Sequence, residues 1–297
     1  MNKKILAVSY WLLAISYSFS QPFVDPVNFS SQFFSSNHKD SSHTKNQTND
    51  CVLNVFFPKK ISERTTFLIR LTGENLHSEY RSTTTSMSDL YAVSLPLGAQ
   101  FLTKNEKWKI LAMAIPKISS DFKENLTNDF QMGGIGLLSY VANKKLQFKL
   151  GLYYNGEFFG NFFVPLIGID WKVTDRLSFY GIFTTNYNIE YRWGNKFFTG
   201  ICFKAYERSY QLSNFYNNDF VWVKDDQLKF FADYFVYKKI MLFAEVSRSL
   251  SYSLLEYNSA DIKTPVVTNP IYSPFNNSFF FSVGIAYRIR MQDDSSK

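Results

Sequence analysis

The sequence predicts an all-β protein: an antiparallel transmembrane β-barrel of about twelve strands, after a cleaved signal peptide. Three observations carry this prediction: strict alternation in the last strand, an apolar leader with no other long apolar run behind it, and a rhythm of short and long turns. Between Phe279 and Met291, one face holds Phe279, Phe281, Val283, Ile285, Tyr287, Ile289 and Met291. The other holds Phe280, Ser282, Gly284, Ala286, Arg288 and Arg290. Side chains alternate across a strand, so this ribbon has one oily and one mostly polar side. Lipid outside and a polar lumen inside suit both.

The elements follow in chain order. Lys3 and Lys4, the apolar stretch Ile5–Ile15 and the small-x-small site Ser18-Phe19-Ser20 mark residues 1–20 as a secretory signal. The apolar stretch is too short to span a membrane as a helix. Residues 21–50 are expected to be a flexible N-terminal arm, because Ser35–Asn46 has neither period nor apolar residue. The barrel is placed at 51–291 and a C-terminal tail at 292–297. Its strands are expected near 65–77, 88–102, 107–118, 130–142, 145–156, 162–173, 176–184, 186–194, 197–208, 226–237, 240–250 and 278–291. Short links at Thr103–Glu106, Asn143-Lys144, Thr174-Asp175, Gly194-Asn195 and Lys238-Lys239 alternate with longer ones near 78–88, 119–129, 157–161, 209–225 and 251–277. The one exception is the brief link at Thr185-Asn186. Tight periplasmic turns and longer outer loops give this pattern, with both chain ends on the periplasmic side.

Composition agrees. With 31 Phe and 19 Tyr, aromatic residues make up 19% of the chain. No run of about eighteen apolar residues follows the leader, which excludes a helical membrane protein. An open sheet in lipid leaves its edge amides unsatisfied, so the sheet has to close. The net charge of +7 is spread without a basic cluster, so no nucleic-acid partner is expected. Two cysteines, Cys51 and Cys202, make no framework, and whether they pair is left open.

Trp171 and Trp193 just before tight turns, and Trp108 just after one, are candidates for an interfacial aromatic belt. Phe158, Phe159, Phe162 and Phe163 are candidates for the opposite belt. The alternation turns Arg70, Lys149, Lys172, Arg192, Lys204, Lys229, Arg288 and Arg290 into the lumen, with Glu74, Asp170, Glu190, Asp233 and Glu245. Two readings compete: a charge network that fills and braces the barrel, or a wet channel whose basic excess favours anions. Inward Phe231, Phe235 and Phe243 favour the filled lumen.

No catalytic, cofactor-binding or metal-binding residue is assigned. His38 and His43 fall in the arm, and His77 stands alone beside Ser78, which points to the opposite face. Asp225-Asp226 and Asp293-Asp294 read as solvated pairs. Gly133-Gly134-Ile135-Gly136 has no helix after it and is no phosphate loop; it relieves crowding in a bending sheet. Ser282-x-Gly284-x-x-Tyr287-x-Ile289 looks like the terminal-strand signal read by the barrel-insertion machinery, although a tail, Gln292–Lys297, follows it.

The run Phe163-Val164-Pro165-Leu166-Ile167-Gly168-Ile169-Asp170-Trp171, then Leu177–Phe183, Asn186–Trp193 and Lys196-Phe197-Phe198, resembles an uncharacterised family of Gram-negative outer-membrane β-barrel proteins, clearest over residues 145–210. The resemblance implies the barrel and the outer membrane, and supplies no ligand or catalytic residue. The expectation is therefore a non-enzymatic outer-membrane barrel in the lipid bilayer, either structural or a narrow channel for small solutes, without cofactor. The alternatives are a lipid-modifying outer-membrane enzyme and a secreted soluble β-sandwich that binds a partner.

Overall fold

A computed structural model describes residues 22–37, 45–81, 86–123, 129–213, 220–257, 273–274 and 279–291, with side chains for all but 35–37, 45–46, 78–81, 86–88, 252–257 and 273–274. The strands are β1 (Phe23–Asn37), β2 (Lys45–Lys60), β3 (Thr65–Arg81), β4 (Ser86–Ser94), β5 (Leu97–Leu102), β6 (Trp108–Ser120), β7 (Phe130–Asn143) and β8 (Leu146–Glu157). There follow β9 (Gly160–Lys172), β10 (Leu177–Ile182), β11 (Asn186–Arg192), β12 (Phe197–Gln211), β13 (Phe220–Tyr237), β14 (Ile240–Tyr257), β15 (Ser273–Pro274) and β16 (Phe279–Arg290). Apart from β4–β5 and β15–β16, each pairs antiparallel with its sequence neighbour, and β16 pairs with both β14 and β1, so the sheet closes on itself; Gln211 of β12 also pairs in parallel with Ser120 of β6. β4 and β5 are one stave broken at Pro96, each half lying between β3 and β6, and β15 is a two-residue strip beside β14. The barrel therefore has fourteen staves.

Two staves more than expected come from one place. Phe23–Asn37 is not an arm but a wall strand, with Phe29 opposite Ile285 and Leu53, and Lys45–Lys60 is the next. Val27, Phe29 and Phe33 face out while Asn28, Ser30 and Gln32 face in; of the stretch without period on which the arm rested, Ser35–Asn37 end β1 and Lys45-Asn46 begin β2. Three expected loops are also shorter, because β3 runs to Arg81, β12 to Gln211 and β14 to Tyr257. The leader, the tail with Asp293-Asp294, His38 and His43 lie outside the described residues.

Outward residues form an apolar band: Leu150, Phe163, Ile167, Phe230 and Ile285 are all exposed. Leaving such side chains in water would forfeit roughly 1.5–3 kcal/mol apiece. A closed barrel satisfies its backbone internally, so bilayer hydrocarbon can cover this band. The molecule is accordingly a barrel of the outer membrane. Trp171, Trp193 and Trp108 face out near the short-turn rim, and Trp193 donates from Nε1 to Thr199 Oγ1 at 2.8 Å.

Candidate functional site in the lumen

Inward side chains gather in two layers with a wet zone between them. The layer at the short-turn end is built by β1, β10, β11, β13 and β16. Arg288 bonds Asp25 through Nε at 2.7 Å and also meets Asp233, while Arg290 forks onto Glu190 at 2.7 and 2.9 Å. The Arg288 guanidinium lies 3.5 Å from the ring centroid of Phe23, and that of Arg290 lies 3.4 Å from Phe198. Phe23 meets Tyr180 edge-on, 5.6 Å between centroids. β1 and β10 stand nearly opposite one another in the ring. A circular barrel of fourteen staves would hold opposite backbones roughly 25 Å apart, so this contact requires a flattened section. Lys149 pairs with Asp170 at 2.6 Å, and Lys109 donates to Gln147 at 3.0 Å in the same layer.

The layer at the other end is centred on Arg208 of β12. It bonds Asp50 of β2 at 2.7 Å and Glu74 of β3, and Glu74 also accepts from the Tyr210 hydroxyl. Around this clasp pack Phe34, Leu76, Leu90, Leu212, Val221, Val223 and Phe280, contributed by strands on several sides of the lumen. Between the layers, Lys229 pairs with Glu245 at 2.9 Å, and Lys204 lies 4.3 Å from the Tyr206 ring. Arg70 points inward yet is exposed, 5.2 Å from the Phe56 ring, so it borders water inside the barrel.

All thirteen charged residues assigned to the lumen lie on inward positions, and Arg192 turns at the rim to bond Gly194 O and Asn195. Phe231 and Phe235 are buried inside, and Phe243 lies against Gly284. Phe23, Asp25, Asp50, Tyr180, Arg208 and Tyr210 were missed. Arg208 continues the two-residue series Cys202, Lys204, Tyr206 and closes the expected strand 197–208, so the alternation alone already turns it inward. Lys172 bonds Asp175 at the turn at 2.9 Å.

Three expectations change. Asp225-Asp226 is not a solvated loop pair: both lie in β13, and Asp225 is buried, bonding Ser249 and Gln227. His77 does not stand alone, since its Nδ1 lies 2.8 Å from Asp89 Oδ1 across β3 and β4, on the outer face. Phe158 and Phe159 are no belt but contact Phe220 and Trp222. Cys51 lies on the outward face of β2 and Cys202 on the inward face of β12, both as free thiols. Among the described residues no His, Cys, Asp or Glu cluster has the makings of a metal site.

A family model described as a domain of unknown function (DUF6268) matches residues 29–288. No curated protein matches the chain. Among solved structures, the Pseudomonas putida toluene transporter TodX is 8% identical over 93% of this chain and 91% of its own, with a TM-score of 0.45. A Pseudomonas aeruginosa FadL homologue is 8% identical over 90% and 89%, with a TM-score of 0.46. The NanC porin is 10% identical over 89% and 100%, with a TM-score of 0.40.

Proposed function

The chain belongs to the DUF6268 family, and we propose that it is a non-enzymatic outer-membrane barrel, a narrow conduit for small solutes whose axial path rests shut. The observation that carries this reading is the contact of Phe23 with Tyr180 across the short-turn end, tied down by Arg288. The Arg208 clasp supports closure at the far end. Lumen charges are mostly compensated by pairing, which favours bracing over a selective anion track. Arg70 and Lys204 keep a positive, hydrated interior, which suits small polar or acidic solutes once a closure opens.

Refolded protein in a planar bilayer should be electrically silent, and Phe23→Ala with Tyr180→Ala should give unitary currents once the far clasp is also removed by Arg208→Met, Asp50→Asn and Glu74→Gln. Stable steps of porin size from the unaltered protein would overturn the reading. The outward, half-exposed His77–Asp89 pair has no part in chemistry here. His77→Ala is therefore expected to leave lipid composition unchanged. The inserted partner machinery in this reading recognises β16, whose Gly284, Tyr287 and Ile289 carry the terminal-strand pattern.

A further inference from the structure

One pair of staves is too short for the membrane. β10 has 6 residues and β11 has 7, and Phe183–Thr185 joins them. Six residues in a tilted strand rise only about 15 Å, against an apolar band of about 25 Å. Gly181, at φ 125°, is the residue that lets the chain turn early, since a side chain there would meet Asn186 O.

Above that turn the wall is interrupted. β9 pairs with β10 no higher than Gly168, with one more bond from Phe183 N to Ile167 O. β12 pairs with β11 no higher than Lys204, with one more bond from Ala205 N to Thr185 O. Among the described residues no strand fills the space between Gly160–Leu166 of β9 and Tyr206–Tyr210 of β12. Pro165 sits on this free edge, where a missing N–H is tolerated, and its carbonyl accepts from Thr184 Oγ1 at 2.8 Å.

The top of the gap is drawn together in an unusual way. Ser209 and Trp222 are opposite one another in the β12–β13 register, on the face away from lumenal Tyr210 and Val223. Ser209 is nevertheless completely buried, because the inner face of the β6–β8 wall lies over it. Glu157 accepts from Ser209 N at 3.0 Å and Gln131 donates to Ser209 Oγ at 2.9 Å. Phe159, at the β8–β9 turn, stacks on Trp222 with centroids 4.3 Å apart and planes 22° apart. The wall overlaps itself there, and on its two sides β8 and β9 turn Tyr153, Phe162, Val164 and Leu166 inward while β12 turns Phe203 and Ala205 outward.

We propose that this gap is a lateral port between the lumen and the outer leaflet, and that a lipid acyl chain occupies it. Its height sets the occupant: the port begins where the hairpin ends, inside the apolar band, beside outward Ile167, Phe163 and Ile201. Its lower lining is apolar, with Phe162, Val164 and Leu166 on one side and Phe203 and Ala205 on the other, while Glu207 of β12 and Glu157 lie at its top. Its free strand edges are partly satisfied by Thr184, Glu157 and Ser119, which bonds Ser209 O. The Phe159–Trp222 stack is the gate. The port goes beyond the axial reading above and does not depend on it.

The test uses full-length protein with Cys51→Ser and Cys202→Ser, a bimane label at Val164→Cys, and phosphatidylcholine vesicles carrying a nitroxide on the acyl chain. Val164 faces inward, so an unbroken wall would shield it. The label should be quenched as strongly as one at outward Ile167→Cys, and several-fold more than one at inward Ser30→Cys on the far wall. Phe159→Ala with Trp222→Ala should raise quenching at Val164 further. Quenching at Val164 no greater than at Ser30, both in the gated protein and in the opened variant, would overturn the port. A heat-dependent shift on a denaturing gel confirms folding of each variant, and the silent planar bilayer is scored separately.

Discussion

Arg208 is the residue on which the outer closure turns. It stands 158 residues from Asp50 and 134 from Glu74 along the chain, and bonds both inside the lumen. Removing it leaves two carboxylates facing each other without their cation, whereas removing the whole charge set leaves none. Arg208→Ala should therefore destabilise the barrel by about 3–5 kcal/mol. Arg208→Met with Asp50→Asn and Glu74→Gln should recover most of that loss, with urea unfolding in detergent as the readout. Equal losses in both variants would show that the clasp acts through packing and not through charge. Glycines give a second contrast at this scale. A side chain at Gly200 would run into the Phe231 ring and Ile189 O, while one at Gly136 would meet open space. Gly200→Val is expected to cost about 1–3 kcal/mol through overpacking, and Gly136→Ala to stay within about 0.5 kcal/mol.

At the scale of the element, β1 decides whether the sheet closes. It bridges β16 and β2 over nearly its whole length. Without it, both neighbours would present unpaired edges to hydrocarbon, at several kcal/mol for each unsatisfied group. Deleting residues 22–37 while keeping residues 1–21 should abolish the heat-modifiable form, where loss of a mere arm would preserve it. The sequence made β8 and β16 legible because each crosses the apolar band with one lipid and one lumen face, as in Phe148, Leu150 and Leu152 against Gln147, Lys149 and Gly151. β1 and β2 were illegible for a physical reason. Beyond Phe29 and Leu53, Ser31, Asn49 and Cys51 take outward positions, bonded to one another. These polar residues break the apolar outer row between Phe29 and Phe33, so the period of two is interrupted while the backbone ladder continues. The lumen charges could be read from parity alone, but their partners could not, since Arg290 and Glu190 or Arg288 and Asp25 meet only through closure.

For the whole molecule, the question is what medium covers the outer face. Leu150 sits halfway up the band on β8, between Leu138 of β7 and Ile167 of β9, all three exposed. Tyr237 is exposed too, but lies beside the tight turn at Lys238-Lys239. A bilayer treats these two positions differently, because an arginine at mid-depth drags its charge into hydrocarbon while one at the rim reaches the headgroups. Leu150→Arg should therefore cost about 2–4 kcal/mol and Tyr237→Arg at most about 1 kcal/mol, measured by reversible unfolding from phospholipid vesicles. A watery exterior would accept both changes with little loss and would leave the protein soluble without detergent. A cover of packed protein would penalise both sites alike, since bulk and not depth would then govern. Only a layered solvent gives a penalty that falls with height along one strand face, and the fourteen-stave ring, with its apolar middle and tryptophan-marked rim, is built for such a solvent.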